Sequence, residues 1–378
     1  APDLPPQRPF RDYCDWLTAQ DHDAASVYWA KVLAGVREPT PLPFDRRPAP
    51  GHLTRRVGRK AFRLTEERTT GLREFARRHR ITLHTIVQAA WGLLLSRHSG
   101  AHEVEDVVFG TTITLRPPEL PGVETIFGPL ISTLPVRLTV DPGATVLSWL
   151  SRIQDGQLDS REHGFFPPAR YQELTDVPPG VNLFDSAIAF ENYADEPVAD
   201  DGDEPRVVEV DSHETTNFPL GLVVLPESAL CFELVYDVDL FDDVTAERLS
   251  ARLVTAMSSM VDAPDQPLGS VEVLPPAELA LITTWSRSPL EPTQPRTAAE
   301  LFADQVRRVP GAVAVSAGTE LTFRELDERA GRLAHRLGAL GVGPESVVGI
   351  CVDRGVDSIT AVLAVLQAGG ACLPLDPA

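Results

Sequence analysis

Ile126-Phe127-Gly128-Pro129-Leu130-Ile131-Ser132-Thr133-Leu134-Pro135-Val136-Arg137 is the stretch that decides how this chain is read. Its second half opens a run, Ile131 to Val140, that reads as a β-strand. Just upstream, Val104 to Thr114 is β-rich and reads as a buried strand. It runs on into Leu115-Arg116-Pro117. Working back, Thr65 can cap a helix to about His79, and Thr82 the next, through Ile86, Ala90 and Leu94 to Gly100. Phe10, Tyr13, Trp16 and Leu17 recur at helical spacing, as do Val27, Trp29, Val32 and Leu33. A Pro-rich loop from Pro39 to Pro50 and a strand from Val57 to Leu64 lie between. Working forward, a helix is predicted from about Val146 to Leu158. Apolar β runs follow at Leu183–Phe190, Leu220–Leu225 and Leu230–Tyr236, and then a helix capped by Asp242 or Asp243 and ending near Val261. Residues 191–204 are acidic, contain Gly and Pro, and read as a loop.

The texture changes after residues 262–276 and 286–297, which are rich in Pro and in Asp or Ser. The expected division is one lobe over 1–274, a linker over 275–296 holding a short helix at Pro276–Trp285, and a second segment over 297–378. In that segment Ala298–Val309 reads as a helix and Ala312–Ser316 as a strand. Thr322-Phe323-Arg324-Glu325 is a capping box that opens a helix to about Leu340. Val347–Val352 reads as a strand, Ile359–Ala368 as a helix and Ala371–Leu375 as a strand. This alternation predicts a parallel α/β sheet with too few strands to close its core.

The 378 residues are enough for roughly two or three domains. Hydrophobic residues make up 43% and charged residues 23%, as in a packed globular chain. No apolar run reaches the ~18 residues of a membrane span, and no segment has the order of a signal peptide. Cys14, Cys231, Cys351 and Cys372 are scattered without a CxxC pair, which points to a reducing, cytoplasmic setting. The net charge of −20 disfavours nucleic acid and anionic membranes as partners. One basic stretch, Arg46, Arg47, Arg55, Arg56, Arg59, Lys60 and Arg63, breaks the trend. It reads as a solvated face, with a docking patch for an acidic partner domain as the alternative.

Self-evident chemistry is sparse. His213-Glu214-Thr215-Thr216-Asn217 begins like the zinc motif HExxH but has Asn217 in place of the second His, so no metal is expected. Thr69-Thr70-Gly71 is followed by no Lys and sits in a helical pattern. Gly338, Gly341 and Gly343 do not form GxGxxG and are expected to end a helix. Of nine His, no two are adjacent. His84 and His335 lie in amphipathic helices and read as surface or satisfied residues. Spacing alone proposes no acid–base site.

Several stretches together resemble the condensation domain of a nonribosomal peptide synthetase. Pro9-Phe10-Arg11-Asp12-Tyr13-Cys14-Asp15-Trp16 is similar to its mid-domain aromatic motif. Phe109-Gly110-Thr111-Thr112-Ile113-Thr114-Leu115-Arg116-Pro117 resembles the strand that usually ends Ser-Gly-Arg-Pro. The opening stretch resembles Gly-x-Phe-Val/Ile-Asn-Thr-x-Pro-x-Arg. Leu183-Phe184-Asp185-Ser186 with Phe190-Glu191-Asn192-Tyr193 is similar to the next strand. These motifs keep their order over about 270 residues. From about Thr297 the chain resembles the start of an adenylation domain. Leu321-Thr322-Phe323-Arg324-Glu325-Leu326 is similar to its first motif, and Leu366-Gln367-Ala368-Gly369-Gly370-Ala371-Cys372-Leu373-Pro374-Leu375-Asp376 to its second.

The resemblance implies an α/β fold: the C-terminal lobe of a chloramphenicol-acetyltransferase-like condensation fold, then the incomplete N-terminal segment of an adenylate-forming domain. It implies a parent that joins carrier-bound acyl groups through an amide bond and activates an amino acid. Such a parent uses ATP, Mg2+ and carrier-bound 4'-phosphopantetheine, and its partners are the peptidyl carrier domains on either side and the rest of its own condensation and adenylation domains. The family's His-His-x-x-x-Asp-Gly motif belongs upstream of Ala1, and the adenylation phosphate loop and catalytic Lys beyond Ala378. The chain begins without Met and stops after the second adenylation motif, so both ends read as cuts. The chain itself is therefore expected to hold no catalytic residue and no cofactor, and to be inactive. Arg116 is implied to support the active-site loop by pairing with the Asp of the missing motif. Ser132 and Thr133 are implied to lie on the wall of the tunnel through which the two pantetheine arms meet, or else to be buried strand positions with satisfied hydroxyls. Leu115 stands where the family has Gly, adding bulk expected to narrow the tunnel, and Ser132 stands for Asn. An unusual acceptor and a relaxed or lost condensation activity both remain open. Two other readings compete: a non-catalytic condensation-like domain that recruits a partner enzyme, and a free-standing acyl-CoA acyltransferase. The adenylation motifs count against both.

Overall fold

Apolar residues three and four apart wind the first segment into α1 (Phe10–Thr18) and α2 (His22–Leu33), which bury Tyr13, Trp29 and Leu33. A computed structural model describes residues 7–49, 51–99, 105–191, 216–286 and 296–376. Residues 192–204 of the acidic stretch, which include Asn192 and Tyr193, and His213, Glu214 and Thr215 of the 213–217 motif lie outside the described residues. The chain divides into two units, 1–284 and 285–378.

In the first unit, β1 (Val57–Arg63) leads to α3 (Glu66–His79). Thr65 caps α3 by accepting from the Arg68 N–H at 3.2 Å. Thr82 does the same for α4 (Leu83–Ser99), accepting from Thr85 N at 3.1 Å. Then come β2 (Glu105–Thr114), β3 (Ile131–Val140), α5 (Val146–Glu162), β4 (Ser186–Phe190), β5 (Leu220–Pro226) and β6 (Leu230–Asp237). The long α6 (Asp243–Asp262) and the short α7 (Pro276–Ser286) close the unit. Asp242 holds the N-cap position of α6 but makes no capping bond, because its carboxylate is turned to Arg46.

Six strands form one mixed sheet in the order β1-β6-β5-β4-β2-β3, with β2–β4 and β4–β5 parallel and the other pairs antiparallel. Side chains alternate across it. One face carries Phe109, Ile188, Leu222 and Leu234, which join Trp91, Leu94, Trp149, Leu253 and Met257 in the main core. The opposite face carries Gly110, Thr112, Ala187 and Ala189 in register. A smaller cluster built on Trp29, Phe166 and Tyr171 takes in Ile113 and Leu134 of the first face and Val108 of the second.

Four of the seven cations of the basic stretch, Arg46, Arg56, Arg59 and Lys60, are ion-paired within the unit. Arg56 lies 3.4 Å from Asp239, Arg59 2.8 Å from Glu233 and Lys60 3.5 Å from Glu247, and Arg46 pairs with Asp242.

In the second unit, Thr297 and Glu300 form a capping box at the start of α8 (Ala298–Arg308). β7 (Val313–Ser316) and β8 (Glu320–Thr322) form an antiparallel hairpin, not the purely parallel pattern expected. Gly318 turns this hairpin at φ 70°. The Thr322–Glu325 box opens α9 (Phe323–Ala339). β9 (Val347–Ile350) and β10 (Ala371–Pro374) are parallel, joined through α10 (Val356–Gln367). Val347 and Leu373 on this two-stranded sheet stay exposed.

Candidate functional site

Two places in the first unit gather the residues singled out from the sequence. The first is the loop between β2 and β3. Its ends are clamped where the Leu115 N–H donates to the Leu130 carbonyl at 2.7 Å. Tyr13, Leu120, Val123, Ile126 and Leu130 pack beneath it. A Cβ on Gly128 would run into the Phe10 ring, so only glycine fits there. Arg116 Nη1 donates to the Val123 carbonyl at 3.0 Å and stands 3.7 Å from the Glu124 carboxylate. The Arg116 side chain is 35% exposed and that of Glu124 76%, so this pair lies in solvent. Leu115 is half-buried and lies against Gly164, where an added Cβ would come within 3.2 Å of it. Its bulk bridges the two smaller apolar clusters.

Ser132 and Thr133 are neighbours that face opposite ways. Ser132 pairs with Ile113 and shares the helix-covered face. Thr133 pairs with Thr112, and its methyl would lie 2.9 Å from a Cβ on Gly110. Thr133 thus shares the other face with Gly110 and Phe184. Both residues are half-buried.

The second place is a cavity of about 260 Å³ on the helix-covered side, bounded by α2, α4, β2, β3 and α5. A polar chain runs along one side of it. Thr85 Oγ1 donates to Gln154 Oε1 at 2.6 Å. Gln157 Nε2 donates to Gln88 Oε1 at 2.7 Å, and Gln88 Nε2 donates to His84 Nε2 at 3.1 Å. An amide N–H can only donate, so His84 Nε2 is unprotonated and the ring proton sits on Nδ1. Thr111 Oγ1 lies 3.2 Å from the same nitrogen, and the Phe190 ring packs 5.2 Å away. Burial, and then the positive Arg161, push the His84 pKa down to about 4. The imidazole is therefore neutral at pH 7.

The sequence marks His84 as a satisfied helix residue and gives no sign of its surroundings. Gln88 is one turn away, but Thr111 comes from β2 and Gln157 from α5, and no local spacing announces them. Among the described residues there is no cluster of His, Cys, Asp and Glu able to hold a metal, and no helix is long and apolar enough to cross a membrane.

Comparison with known proteins gives a consistent family. The model of the condensation domain matches residues 1–283, and that of AMP-binding enzymes matches residues 302–378. The chain is 37% identical over 381 residues to one of the linear gramicidin synthase proteins of Brevibacillus parabrevis, covering 99% of this chain and 7% of that protein. It is 33% identical to surfactin synthase subunit 3 of Bacillus subtilis (strain 168), covering 99% and 29%. The chain thus spans well under a third of the length of these relatives. A four-domain nonribosomal peptide synthetase bound to AMP and glycine shares the fold with a TM-score of 0.67 at 21% identity, over 95% of this chain and 28% of that one. The X-domain from teicoplanin biosynthesis superposes with a TM-score of 0.62 at 26% identity, over 72% and 64%. The chain belongs to the condensation-domain family, and it continues into the opening part of an AMP-binding unit in the order found in nonribosomal peptide synthetases.

Proposed function

We propose that this chain is the second half of a condensation domain and the start of an adenylation domain of one chain-elongating module, with the lobe ending near residue 274 and the adenylation segment beginning near 297. The observation that supports this most is the order of the two family matches within one chain that is alignable over 99% of its length with a single synthetase protein. In the parent, two carrier-bound arms bring a thioester donor and an amine acceptor together. Tethering raises their effective concentration, and positioning supplies much of the rate. The parent works in the cytoplasm with peptidyl carrier domains as partners and uses ATP, Mg2+ and 4'-phosphopantetheine. The residues present do not fit a nucleotide–metal site: the sequence has no Gly-rich phosphate loop followed by Lys, and no metal-ligating cluster lies among the described residues.

Within this reading Arg116 supports the active-site loop and awaits a carboxylate supplied from the other lobe. Thr133 lines the wall of the substrate passage from the Gly110 face, and Ser132, on the opposite face of the same strand, backs that wall. The chain by itself forms no peptide bond, because no His pair of the required motif occurs in it. The test is direct. The purified chain should neither exchange pyrophosphate into ATP in the presence of amino acids nor couple two loaded carriers. Amino-acid-dependent exchange would overturn the reading. A second reading, a non-catalytic docking domain, draws support from the likeness to the teicoplanin X-domain. Retained binding of a tailoring enzyme by a module that does not condense would favour it.

A further inference from the structure

Apolar burial does little to hold α7. None of its residues is buried, and Leu279, Leu281, Ile282 and Trp285 stay exposed. With so little apolar area removed from water, polar ties carry more of its docking. Glu278, in the first turn of α7, supplies one. Arg252 of α6 grips both of its oxygens, Nε to Oε2 at 2.8 Å and Nη2 to Oε1. The Arg252 and Glu278 side chains are 21% and 16% exposed, so salt and solvent screen the pair little.

Arg252 is itself held from behind. Its Nη1 lies 2.7 Å from Nε2 of His98, in the last turn of α4. A guanidinium can only donate, so Nε2 accepts and carries no proton. The ring proton is on Nδ1, 2.7 Å from the Leu94 carbonyl, which can only accept. Two independent partners thus assign both ring nitrogens. A proton added to Nε2 would set one N–H against another and a positive ring against a positive guanidinium. The charged groups that bear on His98 are Arg252 from α6 and Glu278 from α7. Arg97, beside it on α4, turns away to the Leu268 and Gly269 carbonyls, and Arg248 of α6 acts on Glu278.

We propose that His98, Arg252 and Glu278 form a proton-sensitive latch, which holds α7 on α6 while the His98 ring is neutral and releases it when Nε2 takes up a proton. Burial first, and Arg252 after it, keep the His98 pKa below its ordinary range, against the Leu94 carbonyl and Glu278, which raise it. The folded-state pKa is therefore the lower one. The latch is fully closed above pH ~6.5 and weakens as the pH falls from there towards the folded-state pKa. Uptake of one proton on release makes α7 easier to open by at most about tenfold per pH unit. Glu278 is held below its ordinary range, by the bond from Arg252 first, and stays ionised at pH 5. The latch uses none of the residues assigned to the substrate passage and does not depend on the condensation reading.

Hydrogen exchange at amides 279–285 of the full 378-residue chain, corrected for the intrinsic rate, reads the opening of α7. From pH 7 to pH 5 their protection should fall by between about threefold and about thirtyfold. His98→Gln keeps an acceptor for Arg252 but cannot titrate, and its α7 protection should be flat over the same range. Glu278→Gln, on the half-buried side of α7, removes the tie without touching His98. Its protection at amides 279–285 should already be low at pH 7 and should change less than twofold down to pH 5. Unchanged protection of α7 in the parent chain would overturn the proposal, as would the parental fall persisting in either variant.

Discussion

The side-chain amide of Gln88 donates to Nε2 of His84 across one turn of α4, at 3.1 Å, and so fixes the imidazole as its Nδ1–H tautomer. To protonate Nε2, the ring must break this bond and bring a positive charge into a buried site near Arg161. His84 should therefore stay neutral down to a pH of about 4. The linkage has a definite sign. The folded-state pKa is depressed, so the unfolded chain binds the extra proton first. Stability from this residue is fully present above pH ~6.5 and falls as the pH drops from there towards about 4. NMR titration of the His84 ring protons should show no inflection between pH 8 and 5. His84→Asn should lose less stability on acidification than the parent chain. An inflection near 6.5 would mean that the ring is solvated.

The same chain of amides carries a second prediction. Gln157 Nε2 donates to Gln88 Oε1 at 2.7 Å, and Gln157 Oε1 lies 3.2 Å from the Thr85 hydroxyl. Gln157→Leu leaves Gln88 Oε1, on a buried residue, without its donor. A stranded buried polar group costs about 1–3 kcal/mol. Chemical denaturation should show a loss in that range, while Gln172→Leu, whose amide bonds to the Pro178 and Val181 carbonyls are open to solvent, should cost less. Equal costs would show that the buried relay adds no stability of its own.

Packing of Phe10 on Gly128 ties α1 to the β2–β3 loop. Gly128→Ala must displace the ring, at a cost of about 1–3 kcal/mol typical of overpacking. Phe10→Leu alone loses some buried area, but the double variant Phe10→Leu with Gly128→Ala should recover part of the Gly128→Ala cost. Strict additivity in this cycle would show that the two residues do not touch.

Much of the fold is legible because its signals are local. Thr65, Thr82 and the Thr322–Glu325 box start helices where a side-chain oxygen can reach an N–H three residues on, and the sequence shows both ends of that reach. The strand Ile131–Val140 has the bounds that its apolar pattern predicts. Other features depend on distant partners. The 183–190 run reads as one strand, but Leu183 packs with Trp29 and Tyr171, and only Ser186–Phe190 joins the sheet. The three-residue β8 is too short to carry a pattern. α10 begins before Ile359 because the Ser358 hydroxyl accepts from Gly355 N at 3.2 Å, a start the apolar spacing does not mark. Period-two alternation, in contrast, is present in the sequence and separates Ser132 from Thr133. The cavity is not legible at all, since its walls come from five separate elements.

The division near residues 262–297 is open to a proteolytic test. Arg252 holds Glu278 in a two-pronged pair, with Nε to Oε2 at 2.8 Å, so the start of α7 is tied to α6. This pairing, chiefly the hydrogen bond from Arg252, holds the Glu278 carboxyl below its ordinary range. Leu279, Leu281, Ile282 and Trp285 remain exposed on the same short helix. Limited proteolysis should cut first within 262–297, and Glu278→Gln should bring cleavage closer to Pro276 and speed it. The carboxylate's contribution should be present above pH ~4.5 and lost as the pH falls below it, because the folded-state pKa is the lower one. Equal protection of this stretch and of α6 would argue for one continuous unit.

Arg116 yields the sharpest contrast between the chain alone and its parent. Among the described residues its guanidinium meets an exposed Glu124 at 3.7 Å and one carbonyl, Val123 O at 3.0 Å. Exposed pairs of this kind contribute less than ~1 kcal/mol, so Arg116→Ala in the 378-residue chain should shift the denaturation midpoint little. In the full module the proposed partner is a buried carboxylate of the other lobe. Removing one member of a buried pair strands the other charge, at about 3–5 kcal/mol. Arg116→Ala should then abolish dipeptide formation, or leave the module insoluble, while amino-acid adenylation survives in whatever folds. Arg116→Lys should rescue only in part, because an ammonium cannot reproduce the planar two-pronged fork. Glu124→Gln separates the two partners: it should be neutral in the module if the inter-lobe carboxylate is the one that matters. A soluble Arg116→Ala module that condenses at the parental rate would return Arg116 to the surface loop that it occupies in this chain.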